Sequence, residues 1–224
     1  TAAQSYLGNT DNLMVGADLS LRPGSNLKIY LALTFDDLQK FSPGAFANKF
    51  AFQSGFLWIN PLFLKDTDLR VEFIHLEPFV YSHNFQINTY EHFDALLGYP
   101  LGPNADRIYG QIVHRFSPAL SLSLTFDRER QGQNHLDKDG SLVNVGGNAS
   151  QGRRPFDSAT RRFLSGIVES RMGLGISLTY EPIQNFQMNL QHKLDRSSNI
   201  QIPGKIRENT TSHLWTVTTD FNFF

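Results

Sequence analysis

The chain has 224 residues, 40% of them hydrophobic and 18% charged, with a formal net charge of −1. That length suffices for one sizeable domain, and the balanced charge excludes a nucleic-acid surface, which would need clustered excess Lys and Arg. No apolar run reaches the length of a spanning helix, which excludes a helical membrane protein, and the absence of cysteine excludes disulfides and thiolate metal sites. A mean hydropathy of −0.30 leaves a β-barrel open, because barrel strands alternate lipid-facing and lumen-facing residues and average to polar. The 19 Phe suit such a fold, which places rings at its membrane interfaces. No leader peptide is visible at Thr1, so an outer-membrane reading requires that one was removed or lies further upstream.

Apolar residues recur at period two in segments of about ten, the length a tilted strand needs to cross a bilayer. Strands are predicted at 12–22 and 26–35, the second setting Leu27, Ile29, Leu31, Leu33 and Phe35 against Lys28, Tyr30, Ala32, Thr34 and Asp36. A third follows at 49–59. In the fourth, 69–81, Val71 and Phe73 share a parity that later carries His75 and Glu77, so a bulge near Ile74 is expected to return Leu76 to the apolar face. In 104–115 either parity is defensible, since Ile108 and Ile112 compete with Tyr109 and Val113. The segment 120–130 sets Leu120, Leu122, Leu124 and Phe126 against Ser121, Ser123, Thr125 and Asp127. Strands at 162–181, 186–195 and 211–224 complete a count of nine. The last alternates through Trp215, Val217, Phe221 and Phe223 and ends in Phe224, one place out of register; it resembles the terminal signal read by the barrel-assembly machinery.

The connections alternate strictly. Short links fall at 23–26, 60–68, 117–119 and 182–185, and long ones at 36–48, 82–103, 131–161 and 196–210. Short periplasmic turns and long extracellular loops are arranged in this way, whereas a soluble sandwich has no reason to sort its long loops to one end. The fold class predicted is therefore all-β, an antiparallel up-and-down transmembrane β-barrel. Rings near the short turns are expected to form one girdle (Trp58, Tyr180, Phe186, Phe221, Phe223), and rings near the long loops the other (Phe35, Phe50, Phe79, Tyr81, Phe126, Trp215). Nine strands do not close a single-chain bacterial barrel, where even numbers hold, so residues 1–224 are expected to form the C-terminal portion, about half, of one larger barrel domain.

The stretch Tyr81-Ser82-His83 to Tyr90-Glu91-His92 places rings, imidazoles and a carboxylate in one long loop. Rings stack on pyranose faces and polar groups bond hydroxyls, so this is a candidate glycan surface; a loop packed on itself in the barrel mouth is the plainer alternative. No His-x-x-x-His helix exists for zinc, and Asp137-Lys138-Asp139-Gly140 lacks the bidentate Glu of a calcium loop, Asn148 standing there instead. No metal, cofactor or catalytic constellation is predicted. Lys28, Asp36, Arg70, Glu72, Asp127, Glu129, Glu169, Arg171, Lys193 and Asp195 are predicted to face the lumen, where opposite charges either plug it or line a pore.

The run Arg70-Val71-Glu72-Phe73, then Pro78 to His83, then Tyr90-Glu91-His92, then Leu97-Gly98-Tyr99-Pro100-Leu101-Gly102-Pro103-Asn104-Ala105-Asp106 resembles the Wzi-type capsule assembly family. Phe163-Leu164-Ser165-Gly166 and Tyr180-Glu181-Pro182 also fit, so the resemblance covers most of the chain after about residue 69. It implies a non-enzymatic outer-membrane lectin, a barrel of about eighteen strands whose extracellular face binds capsular polysaccharide and whose lumen is occluded. The candidate ligand-binding residues are Tyr81, His83, Tyr90, His92 and Asp106. Expected partners are capsular or exopolysaccharide, outer-membrane lipid and lipopolysaccharide, and the barrel-assembly machinery during insertion, with no nucleic acid. The alternative is a porin or solute channel.

Overall fold

The computed structural model describes residues 14–37, 49–83, 85–93, 95–158, 160–201 and 207–221. Nine long strands make one antiparallel sheet: β1 (Val15–Leu21), β2 (Leu27–Asp37), β3 (Lys49–Ile59), β4 (Thr67–Leu76), β7 (Ala105–Ser117), β8 (Leu120–Gln133), β11 (Ile167–Ile183), β12 (Phe186–Ile200) and β13 (Glu208–Phe221). Each pairs with its neighbour in the chain, and β1 and β13 are the edges among the described residues. Two two-residue ladders, β5 (Glu91–His92) with β6 (Ala95–Leu96) and β9 (His135–Leu136) with β10 (Leu142–Val143), lie within long connections. Apart from one 3-10 turn at Gln86–Asn88, the described residues hold no helix.

Antiparallel order puts every second connection at the same end of the sheet. The short ones gather at one end: 22–26, 60–66, Pro118-Ala119 and Gln184-Asn185. All the long ones gather at the other, as the alternation of link lengths predicts. The strands run further at the long-loop end than the periodicity indicates, β8 reaching Gln133 and β12 reaching Ile200, while β11 starts at Ile167 rather than 162.

The pairing registers define two faces. One is apolar: Leu31, Phe52, Phe73, Ile108, Leu124, Phe126, Leu174, Ile176, Leu190 and Val217 share it. Most of these are exposed or half-exposed, a contiguous apolar surface far larger than scattered surface hydrophobics provide. The other face is polar and carries every residue predicted for the lumen. The ambiguity in β7 resolves with Ile108 and Ile112 on the apolar face, level with Phe73 and Leu69 of β4.

The expected bulge near Ile74 is absent. β4 pairs without a break from Thr67 to Leu76 against β7, and through Leu76 against β3. Ile74 and Leu76 therefore stay on the polar face, and His75 stays on the apolar one. The reason is that the polar face ceases to be polar at the long-loop end. There Leu76 and Ala105 are fully buried, and with Ile74, Val80, Tyr81 and Ala149 they form a core under the folded-back loops. Complete burial of side chains such as Leu76 and Val80 contributes roughly 1.5–3 kcal/mol each.

The girdle prediction divides in the same way. Trp58, Tyr180, Phe186, Phe221, Phe35, Phe50, Phe126 and Trp215 lie on the apolar face, and Phe223 falls outside the described residues. Phe79 and Tyr81 are corrections. The chain leaves β4 and turns inward with positive φ at both (65° and 70°), so their rings are buried beneath the loops. Phe163 packs against the apolar face instead, its ring 4.3 Å from that of His75, which Phe50 and Phe52 also contact.

Side chains on the polar face are tied across strands. Tyr30 lies opposite Gly55, where a Cβ would sit 2.6 Å from its hydroxyl; the glycine lets the ring cross and donate to Glu72 at 2.5 Å. Gln53 also donates to Glu72, at 2.9 Å, and Arg70 pairs with it at 2.8 Å. Arg107 grips Asp127 with two nitrogens at 2.8 and 2.5 Å, reaches Glu129 at 3.5 Å, and donates to the Tyr99 hydroxyl at 2.8 Å. Such shared, bidentate arrangements are worth more than isolated surface pairs.

Candidate functional site: the cap at the long-loop end

Two long connections, 77–104 and 134–166, fold over the mouth of the polar face. They have no periodic pattern, and their shape is set by individual polar anchors and by left-handed backbone positions, among them Phe79, Tyr81, Phe93, Asn104 and Leu164. Three anchors hold the cap to the wall.

The first is Asp36 at the end of β2, 3% exposed. Its carboxylate accepts the Tyr81 backbone N–H at 2.8 Å and lies 3.1 Å from His83 Nε2. Lys49 Nζ stands 4.0 Å away and donates to the Ser82 carbonyl at 2.6 Å. One buried acid thus fixes the entry of the first loop.

The second is Asn104, wholly buried with φ 57°. Its amide donates to the carbonyls of Gly132 (2.8 Å) and Ser165 (3.2 Å), and its oxygen accepts the Leu164 N–H at 2.7 Å. It therefore joins both long connections to β8. Asn is favoured here because its side chain tolerates the left-handed region and offers both donor and acceptor.

The third is Glu77, which pairs with Arg161 at 2.7 Å across 84 residues and lies 3.2 Å from His75 Nε2. Burial alone would raise its pKa, but the His75 and Arg161 hydrogen bonds outweigh burial and hold the carboxyl below its ordinary range. A depressed folded-state value means stability that is complete above the ordinary value near 4.5 and is lost as pH falls below it. Proteolytic nicking of the cap is therefore expected to stay constant from neutral pH down to about 5 and to rise below that. Glu77→Gln should flatten the profile, and equal acid sensitivity in this variant would refute the assignment.

The candidates from sequence occupy two layers. Tyr81 is buried, its ring 5.7 Å from that of Tyr90, its hydroxyl accepting the Tyr99 N–H at 3.2 Å; burial pushes its phenol up, so it is neutral at physiological pH. Asp106 is also buried and forms a bidentate pair with Arg130 on the apolar side of the wall. His83 and Tyr90 are half-buried, and His92 is exposed with Phe93 packed edge-on at 4.4 Å. The structure brings Tyr81 and His83 to Asp36 and packs Tyr90 against Tyr81, and it leaves Asp106 at a separate position in the wall.

The second connection adds a feature that periodicity does not reveal. An open cleft of about 820 Å³ is lined by Phe79, Asn144, Arg154, Phe156, Arg161 and Arg162. Phe156 is 77% exposed, with the Arg154 guanidinium 4.5 Å over its ring. Asp157 holds Arg154 at 2.7 Å and accepts from Asn144 at 3.1 Å. The exposed Arg162 side chain forms no ion pair among the described residues. Ser150 donates to Glu91 at 2.7 Å, tying this loop to the one bearing Phe93, itself 91% exposed. The cap's surface thus offers exposed rings and polar groups on both loops. Among the described residues no group of three or more His, Asp or Glu is arranged to hold a metal ion.

A nine-stranded antiparallel wall with one long apolar face, capped by two anchored loops, defines the chain as an all-β antiparallel protein. The family profile described as capsule assembly protein Wzi matches residues 2–211, and the chain belongs to that family. No curated protein and no solved structure matches the chain. The resemblance seen in Leu97 to Asp106 thus holds over nearly the whole chain, and a role in capsule assembly follows from it.

Proposed function

We propose that this chain forms wall and cap of an outer-membrane β-barrel that binds capsular polysaccharide at the cell surface and supports capsule attachment without enzymatic chemistry. The apolar face meets lipid, the polar face lines an occluded lumen, the long loops lie outside and the short turns in the periplasm. The sheet edges β1 and β13 join further strands, since open edges present unpaired backbone groups. Residues 1–224 are then part of a larger barrel. The barrel-assembly machinery inserts it, and lipopolysaccharide surrounds it.

The observation that carries this reading is the cap's outer surface: exposed Phe156 and Arg162 lining an open cleft, and exposed His92 and Phe93 on the loop that Ser150 ties to it through Glu91, in a member of a capsule assembly family. Tyr90, His92 and His83 contact glycan in this reading, while Tyr81 and Asp106 hold the surface in place from beneath. Weak contacts repeated along a polymer add by avidity.

Binding of purified capsule to the full-length protein tests it. Replacing both Phe156 and Arg162 with alanine is expected to weaken binding roughly tenfold, the equivalent of about 1.4 kcal/mol. Unchanged binding in that variant and in His92→Ala would reject the cap as the glycan surface. Planar bilayers separate this reading from a channel: the occluded lumen predicts no steady current, and a steady open-pore conductance would favour a porin.

A further inference from the structure

Charge is segregated between the faces of the last four strands. On β8, β11, β12 and β13 the acids Asp127, Glu129, Glu169, Asp195 and Asp220 all share the polar face. From Leu120 to Arg130, Val168 to Tyr180, Met188 to Ser198 and Thr211 to Phe221, the apolar face holds no carboxylate. It does hold three arginines, all toward the long-loop end.

Arg130 is occupied by Asp106. Arg128 and Arg196 have no ion pair or hydrogen-bonding partner among the described residues. Register places both beside Met172: Arg128 pairs with it from β8 and Arg196 from β12. Two strand spacings separate them, about 10 Å between Cα atoms. One step along the same face toward the short turns lie Phe126, Leu174 and Leu194, and one step the other way lie the paired Arg130, Ser170 and Ser198.

Two guanidiniums at the loop-side margin of an apolar surface, with hydroxyls behind them and the one neighbouring acid, Asp106, taken up by Arg130, match an amphiphile with anionic groups at its head. Guanidinium forms bidentate hydrogen bonds to phosphate, and it is stronger where water is partly excluded. A soluble acidic polymer would instead be met on the cap. The apolar strip directly below the arginines selects a molecule whose phosphates are attached to acyl chains.

We propose that Arg128 and Arg196 form a binding site for the phosphate groups of a membrane glycolipid whose acyl chains lie along Phe126, Leu174 and Leu194. This rests on the reading that the apolar face meets lipid.

The test reconstitutes the full-length protein in nanodiscs containing a bisphosphorylated acylated disaccharide lipid or its dephosphorylated form. Copurifying lipid is then counted by native mass spectrometry. The wild type is expected to retain the phosphorylated lipid at least about tenfold over the dephosphorylated one, and R128Q/R196Q to lose most of that preference. R128K/R196K should keep part of it, since the charge remains and the fork geometry goes. Equal retention by wild type and R128Q/R196Q overturns the site. Competition by free inorganic phosphate as strong as by the lipid overturns the lipid assignment, and capture of acidic polysaccharide through the same two arginines does so as well. Quenching of Trp215 by brominated acyl chains reports separately on whether the apolar face meets lipid, so failure of that reading is distinguished from failure of the site.

Discussion

Asn104→Ala is expected to release the cap from the wall while leaving the nine strands paired. The substitution removes three hydrogen bonds at a fully buried position and leaves the Gly132 and Ser165 carbonyls and the Leu164 N–H without this partner. It also places alanine at φ 57°, which costs about 1 kcal/mol by itself. The sum is about 3–4 kcal/mol of cap stability. Amide exchange measured by mass spectrometry should rise across 97–104 and 160–166, with the β11–β12 ladder unaffected. Asn104→Gly separates the two contributions, since glycine relieves the backbone strain and should recover about 1 kcal/mol. Unchanged protection in the alanine variant would show that the cap is held by something else.

Asp36→Ala should act on the first loop by a different route. The variant deletes the acceptor for the Tyr81 N–H, deletes the His83 partner, and takes a carboxylate away from the buried Lys49 ammonium. Breaking a buried charge arrangement by removing one member costs about 3 kcal/mol or more. Exchange at Tyr81 and its neighbours is then expected to accelerate about a hundredfold. Asp36→Asn keeps an oxygen for the Tyr81 N–H and loses the charge, so it should fall between the two. Glycan binding should drop in Asp36→Ala along with protection, because the residues proposed to touch polymer are carried on that loop. Loss of protection with full binding retained would separate the loop from the ligand surface.

The wall was legible in the sequence for a physical reason. A strand with one apolar face writes its period into the residue order, and Leu120 to Asp127 or Met172 to Thr179 needed nothing else to be placed. Loop lengths then fixed which end is which. The rule failed where a second layer reverses the polarity of a face. Ile74 and Leu76 look misplaced only if the polar face is polar throughout, and the buried core beneath the cap removes that condition. Nothing local announces it, because the partners, Val80, Tyr81 and Ala149, arrive from irregular segments. The same holds for Phe163 against His75 and for Arg161 on Glu77, contacts across 88 and 84 residues whose later partner comes from an irregular segment. Of the candidate site, the Tyr81 to His92 stretch was found through its chemistry. No residue of the Phe156 cleft was singled out as a ligand contact, since a lone Phe among Arg and Asp in a long link carries no periodic signal.

The strand order carries a consequence for how the molecule is made. Among the described residues each wall strand pairs with the wall strand before or after it in the chain, so each new hairpin can lay itself on the last one formed, with little loop entropy to overcome. The cap obeys no such sequence. Asn104, just ahead of β7, is made long before Leu164 and Ser165 exist to meet it, and β7 and β8 must be in place between them. The lid therefore closes late, after its frame, and a damaged lid leaves a frame that still assembles. Variants of Asn104 or Asp36 should accordingly reach the same location in the same amount as the wild type and differ only in what their outer surface can hold.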